Sequence, residues 1–241
     1  MHDKDPVTAR YLSDDYLQSN PSWDSEDSPW KAQKVREMLA ANKLQPASIV
    51  DVGCGAGIVL SELQRHYPQA RLAGFDIAPD AEKFWAPLRA RGIDLTVGDF
   101  TGLSTPTCDV LLVLDVVEHL QDPFAFLARI RTKAKYCVFH FPLDLSALSI
   151  LRETPLLHVR RKVGHVHYYS RGLALALLED CGYRVIDARY TGAAFSAPQR
   201  TLRTMIASLP RRLARWISPH WGVRLFGGET LMVLAEPVRT A

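Results

Sequence analysis

The sequence predicts an α/β fold, an open sheet with helices on both faces, and three observations predict it. Short apolar runs alternate with helix-patterned segments over some 190 residues. The first apolar run passes directly into a turn with glycine at every second position, Gly53, Gly55 and Gly57. Acids then follow successive apolar runs, at Asp76, Asp99 and Asp115. Ligands in such sheets bind beyond the carboxyl ends of the strands. The glycines and the three acids therefore converge on one edge.

The elements follow in order. Residues 1–27 are polar, with Tyr11, Tyr16 and Trp23, and read as an irregular leader or lid. Ser28 then caps a helix over about 30–42, with Pro29 in its first turn. Strand one is 48–52, and after the glycine turn a helix runs to about residue 66. Strand two, 71–75, is closed by Asp76. Residues 79–91 are helical, kinked or shortened by Pro87. Strand three is 94–97, and strand four, 109–114, is apolar on both faces, as a central parallel strand must be. Asp122-Pro123 opens a helix to about 133, and strand five is 136–141. Residues 142–165 mix apolar turns with Arg152, Arg160, Arg161 and Lys162 and resist assignment. Ser170 caps a helix over 171–181, stopped by Gly182 before strand six at 183–190. Residues 191–229 read as an insertion with one or two amphipathic helices, broken at Pro210 and Pro219, and 230–236 as a last strand.

Composition sets the outer bounds. With 241 residues, 47% apolar and 23% charged, the chain is one ordinary globular domain or such a domain with appendages. A net charge of +3 argues nothing about nucleic acid by itself. The charge is unevenly placed: seven acids lie within residues 1–30, whereas residues 188–228 hold seven arginines and no acid. That stretch is either a solvated basic face or one that meets an anion or a membrane. Cys54, Cys108, Cys137 and Cys181 are scattered without metal-ligand spacing. With no signal-peptide pattern and no run of membrane-spanning length, the expected setting is the cytoplasm.

The stretch D-V-G-C-G-A-G at 51–57 resembles the signature of class I S-adenosylmethionine-dependent methyltransferases. Asp51, two places before Gly53, distinguishes it from dinucleotide dehydrogenases, which carry a glycine there. Asp76 after strand two, Gly98-Asp99-Phe100 after strand three and D-V-V-E-H-L-Q-D-P at 115–123 agree with the small-molecule branch of that family, distantly similar to quinone-biosynthesis O-methyltransferases. The likeness covers about residues 28–190 and the final strand. It implies a Rossmann-like seven-stranded, mostly parallel sheet of order 3-2-1-4-5-7-6. Residues 28–241 would form the methyltransferase domain, with acceptor-side insertions at about 142–169 and 191–229.

The resemblance also assigns roles. The turn at Gly53, Gly55 and Gly57 would meet the methionine and ribose parts of S-adenosylmethionine, with S-adenosylhomocysteine as product. Asp51 would tie down the loop or reach the amino group through water. Asp76, with Ile77 beside it, would bind the ribose; Asp99 would bind the adenine amino group, with Phe100 against the ring; Leu114 would lie close to the cofactor. S-P-W-K at 28–31 resembles an early helix whose basic residue reaches the cofactor carboxylate, a place taken here by Lys31.

Methyl transfer needs a positioned nucleophile and, for a hydroxyl acceptor, a base. His119 lies at the mouth. His165 and His167, two apart in G-H-V-H-Y-Y-S, would face one pocket from an extended segment, and one of them is the candidate base. Asp115, Glu118 and His119 repeat a spacing with which some quinone methyltransferases hold magnesium, but relatives without metal share it, and no metal is assigned. The acceptor is expected to be a small molecule or lipid, methylated at oxygen rather than nitrogen or carbon. The insertion at 191–229 would cap the site or touch a membrane peripherally, and nucleic acid is not the expected partner. Three other readings compete: an RNA methyltransferase, a nicotinamide-dependent oxidoreductase and a non-catalytic cofactor-binding protein. The G-x-G-x-G spacing with Asp51 opposes the oxidoreductase.

Overall fold

The computed structural model describes residues 26–104, 107–192 and 216–238, with Ala9, Leu12 and Ala214 besides. Strands β1 (Ser48–Val52), β2 (Arg71–Asp76), β3 (Asp94–Val97), β4 (Cys108–Leu114), β5 (Ala134–Leu143), β6 (Tyr183–Tyr190) and β7 (Glu229–Pro237) form one sheet of order β3-β2-β1-β4-β5-β7-β6. The β1–β5 pairings are parallel, and β7 runs antiparallel between β5 and β6. The order is the one that the family resemblance implied. Among the described residues the α-helices are α1 (Ser28–Ala41), α2 (Ile58–Gln64), α3 (Ala86–Arg89), α4 (Pro123–Ile130), α5 (Ala147–Arg152), α6 (Thr154–Lys162), α7 (Arg171–Asp180) and α8 (Pro219–Phe226).

Alternation along β4 shows how the sheet is sandwiched. Leu111 and Val113 join one buried cluster with Phe139, Phe141, Leu177 and Leu178, while Val110, Leu112 and Leu114 join another with Leu39, Leu60 and Trp85. A period of two sends successive side chains to opposite faces, so helices must cover both. Each fully buried leucine there would cost about 2–5 kcal/mol to truncate to alanine. All four cysteines are buried and free.

Four local expectations change. Asp27, not Ser28, holds the N-cap position of α1; its backbone is already helical and its side chain makes no capping bond. Residues 79–91 split into a 3-10 turn, Pro79–Phe84, and the short α3, with Trp85 at the joint. Pro87 sits in the first turn of α3, where a missing N–H costs nothing. Residues 142–165 contain two helices, α5 under a Ser146–Ser149 capping box and α6 with a proline in its first turn. Pro219 begins α8 behind a Ser218 cap instead of breaking a helix. Asp122 and Ser170 cap α4 and α7 as their sequences imply. Tyr11, Tyr16, Trp23 and Pro210 lie outside the described residues.

Candidate active site

The glycine turn is fixed from three sides. Gly53 and Cys54 donate their N–H groups to the Phe75 carbonyl at the end of β2, at 2.7 and 3.2 Å. Gly55 donates to Asp76 Oδ2 at 2.8 Å and accepts from the indole Nε1 of the fully buried Trp85 at 2.8 Å. Gly53 has a φ of +76°, and a Cβ there would lie 2.5 Å from Val116 Cγ2. Glycine is required at this position for both reasons.

Two cavities meet at Gly53. The first, about 340 Å³, is lined by the turn, by Asp51 and Leu114, by Lys31 of α1, and by Glu118, His119 and His165. The second, about 410 Å³, is lined by Asp76, Ile77, Asp99 and Phe100. Asp76 Oδ1 accepts from the Ala78 N–H at 2.9 Å, so both carboxylate oxygens are held by backbone donors. Asp99 is exposed and accepts from the Thr101 N–H and hydroxyl, both at 2.8 Å. Phe100 is buried and packs on Phe75, ring centroids 5.0 Å apart.

Charge is concentrated in the first cavity. Burial, and then the neighbouring Asp76 carboxylate, push Asp51 up to about 8, against the pull of Lys31. Burial likewise raises Asp76, opposed by the N–H donors of Ala78, Gly55 and Ile77. Asp115, at a φ of +54°, accepts from Lys31 Nζ at 2.7 Å and pairs with His140 Nδ1 at 2.6 Å. Desolvation opposes its charge, but His140 and Lys31 together hold its carboxyl well below the usual range. Glu118 is fully buried, and neither of its oxygens has a hydrogen-bond partner among the described residues. Burial first, then the charge of Asp115, raise its carboxyl well above the usual range.

The three histidines separate. His165 Nδ1 pairs with Asp144 Oδ2 at 2.7 Å, and His119 Nδ1 lies 3.2 Å from the Gly164 carbonyl. The two rings meet edge to face, centroids 4.9 Å apart. His167 lines neither cavity. The segment is not an extended strand, because the Val166 and His167 N–H groups both fold back onto the Glu118 carbonyl. Alternation therefore does not apply, and His165 and His167 do not share a pocket. The spacing at Asp115, Glu118 and His119 does not assemble as a ligand set either, since Asp115 turns to Lys31 and His140. Among the described residues, Glu118, His119 and His165 form the group that could hold a metal, with ligand atoms within 4.8 Å of one another.

Sequence reasoning missed Trp85, His140 and Asp144. Trp85 lies within the 79–91 stretch expected to be helical and has no local signal of its own. His140 is a lone polar residue inside the apolar run of β5, with no local signal. Asp144 lies 21 residues from His165 and meets it only in the fold.

This sheet order, with a glycine turn after β1 and acids after β2 and β3, defines a class I S-adenosylmethionine-dependent methyltransferase. The donor set fits that cofactor: a nucleoside-sized cavity with two acids, joined at Gly53 to one holding both a cation and an acid for an amino-acid group. The chain belongs to the methyltransferase domain family, which it matches over residues 26–188. It is 33% identical over 118 residues to the ubiquinone biosynthesis O-methyltransferase of Parvibaculum lavamentivorans, covering 42% of this chain and 44% of that protein. It is 38% identical over 65 residues to the trans-aconitate 2-methyltransferase of Mycobacterium ulcerans, 27% of this chain and 24% of the relative. The chain thus spans less than half of these curated relatives. Among solved structures, the plantazolicin methyltransferase BpumL, in complex with a monoazolic desmethylPZN analog and SAH, has a TM-score of 0.60 at 16% identity, covering 97% of this chain and 94% of that one. At that identity the likeness shows the fold.

Proposed function

We propose that the protein transfers a methyl group to an oxygen of a small or lipid-like acceptor, with His165 as the general base. The observation that carries this reading is the Asp144–His165 pair, at 2.7 Å, whose imidazole lines the same cavity as the glycine turn. A carboxylate on Nδ1 fixes the tautomer and leaves Nε2 to take a proton. The His119 and His165 rings meet edge to face, with centroids 4.9 Å apart. Burial raises the Glu118 carboxyl well above the usual range, which favours its neutral form beside the two imidazoles.

When bound, S-adenosylmethionine supplies a methyl group already activated on sulfur, so the protein's task is positioning and proton removal. In this reading Lys31 holds the carboxylate end, the turn at Gly53, Gly55 and Gly57 carries the methionine and ribose parts, and Asp51 serves the amino end. Asp76 and Ile77 flank the ribose, Asp99 and Phe100 the adenine, and Leu114 sits beside the reacting end. The choice of oxygen draws support from the similarity to ubiquinone biosynthesis O-methyltransferases. Isotopically labelled methyl donor and a panel of phenols, carboxylic acids and amines test it, with the carbon chemical shift of the product identifying the methylated atom. Methylation confined to amines would refute the reading.

A further inference from the structure

We infer that helices α5, α6 and α8 form a docking surface for an anionic phospholipid bilayer. Exposed large apolar side chains are concentrated there. Of the 14 described on the molecule, eight lie on or beside these helices: Leu148, Ile150, Leu151 and Leu157 on α5 and α6, and Trp216, Ile217, Trp221 and Leu225 on or just before α8. Leu151 is 83% exposed, Trp216 85% and Ile217 73%. Scattered single residues of this kind mean little, but such a concentration marks a contact surface. The three helices are continuous: α8 packs on α5, which packs on α6. A Cβ on Gly227 would lie 2.9 Å from Ser146 Oγ, so the end of α8 sits against the cap of α5.

Charge selects the partner. Residues 147–162 carry Arg152, Arg160, Arg161 and Lys162 against Glu153, and Arg224 of α8 lies over the Trp221 ring at 5.4 Å. Basic helices that expose tryptophan and aliphatic side chains lie in the interface of anionic membranes, where apolar burial and headgroup attraction add. No helix among the described residues is long and apolar enough to cross a membrane, so the contact is peripheral.

The surface leads to the site. Helix α6 ends at Lys162, and Val163 and His165 immediately beyond it line the first cavity. A bilayer held on α5, α6 and α8 would thus lie beside the acceptor end. That an acceptor dissolved in the bilayer enters there rests on the methyl-transfer reading; the docking itself does not, because it is measured without donor or acceptor.

The test is co-sedimentation of the full chain with vesicles of phosphatidylcholine alone and with about one third phosphatidylglycerol, at low and high salt. Binding is expected to the anionic vesicles, at least tenfold weaker on phosphatidylcholine and weakened by salt. The Leu151→Glu and Ile217→Glu variants, at two strongly exposed positions, should each lose about tenfold in vesicle affinity while keeping wild-type circular dichroism and S-adenosylhomocysteine affinity. Three outcomes overturn the proposal: no vesicle binding, equal binding to both compositions, or anionic binding unchanged in both variants. Capture of RNA in place of vesicles would assign the arginines to nucleic acid and overturn it as well.

Discussion

Nδ1 of His165 lies 2.7 Å from Oδ2 of Asp144, joining the segment after β5 to the one after α6. The His165 imidazole so held lines the same cavity as the glycine turn that follows β1.

Removing the base should be costly and selective. His165→Ala is expected to lower kcat about 10²–10⁴-fold, and Asp144→Asn by a smaller factor through loss of the fixed tautomer. His167→Ala should stay near wild type, since His167 lines neither cavity. Steady-state methyl transfer gives kcat, and calorimetry with S-adenosylhomocysteine should show unchanged affinity in all three. Loss of kcat in His167→Ala equal to that in His165→Ala would remove His165 from the base role.

A base and a metal make opposite demands on the cluster of Glu118, His119 and His165. If His165 takes the proton, treatment with a strong chelator should leave the transfer rate unchanged. Loss of activity restored by a divalent ion would instead make the cluster a metal centre, with two imidazoles and a carboxylate suited to a borderline transition metal.

Lys31 lies 2.7 Å from Asp115 and lines the same cavity. Lys31→Met should weaken S-adenosylhomocysteine binding about 10–100-fold, the worth of a hydrogen bond to a charged group. Lys31→Arg should retain most of it, because the cation is kept. Calorimetry reads both; undiminished affinity in Lys31→Met would place the cofactor carboxylate elsewhere.

The pH dependence of stability should carry the mark of Asp51. Its carboxyl is raised to about 8 in the folded protein by burial and by Asp76, against about 4 in the unfolded chain. Between those values the folded state holds the proton and the unfolded state has lost it, so this group's contribution to stability falls as pH rises. In the donor-free protein, Asp51→Asn should therefore gain on wild type from about pH 5 to about pH 8, by up to about 1.4 kcal/mol per pH unit. Denaturant melts at several pH values measure the difference. A constant offset between the two proteins would show that Asp51 is not raised.

The cofactor edge was legible because its signals are local. Strands β1, β3 and β6 occupy the residues that apolar runs between glycines, prolines and acids mark out. Gly53, Gly55 and Gly57 announce the turn, and Asp122 and Ser170 announce helix starts. The acceptor end was less legible because its contacts are tertiary. Asp144 and His165 meet only after α5 and α6 fold between them, and His140 reaches Asp115 from inside an apolar strand. Reading His165 and His167 as a facing pair assumed an extended chain, whereas the Glu118 carbonyl gathers both following N–H groups and bends it. Helices α5 and α6 were obscured by exposed leucines and the exposed Ile150, which break the amphipathic pattern that core packing would impose.

The most direct test supplies labelled S-adenosylmethionine and the purified protein to an extract of cells that lack it. The expected result is label in a small or lipid-soluble product, with the methyl group on oxygen, and loss of most of that label with His165→Ala. Label in RNA or on nitrogen, or undiminished labelling with His165→Ala, would contradict the account.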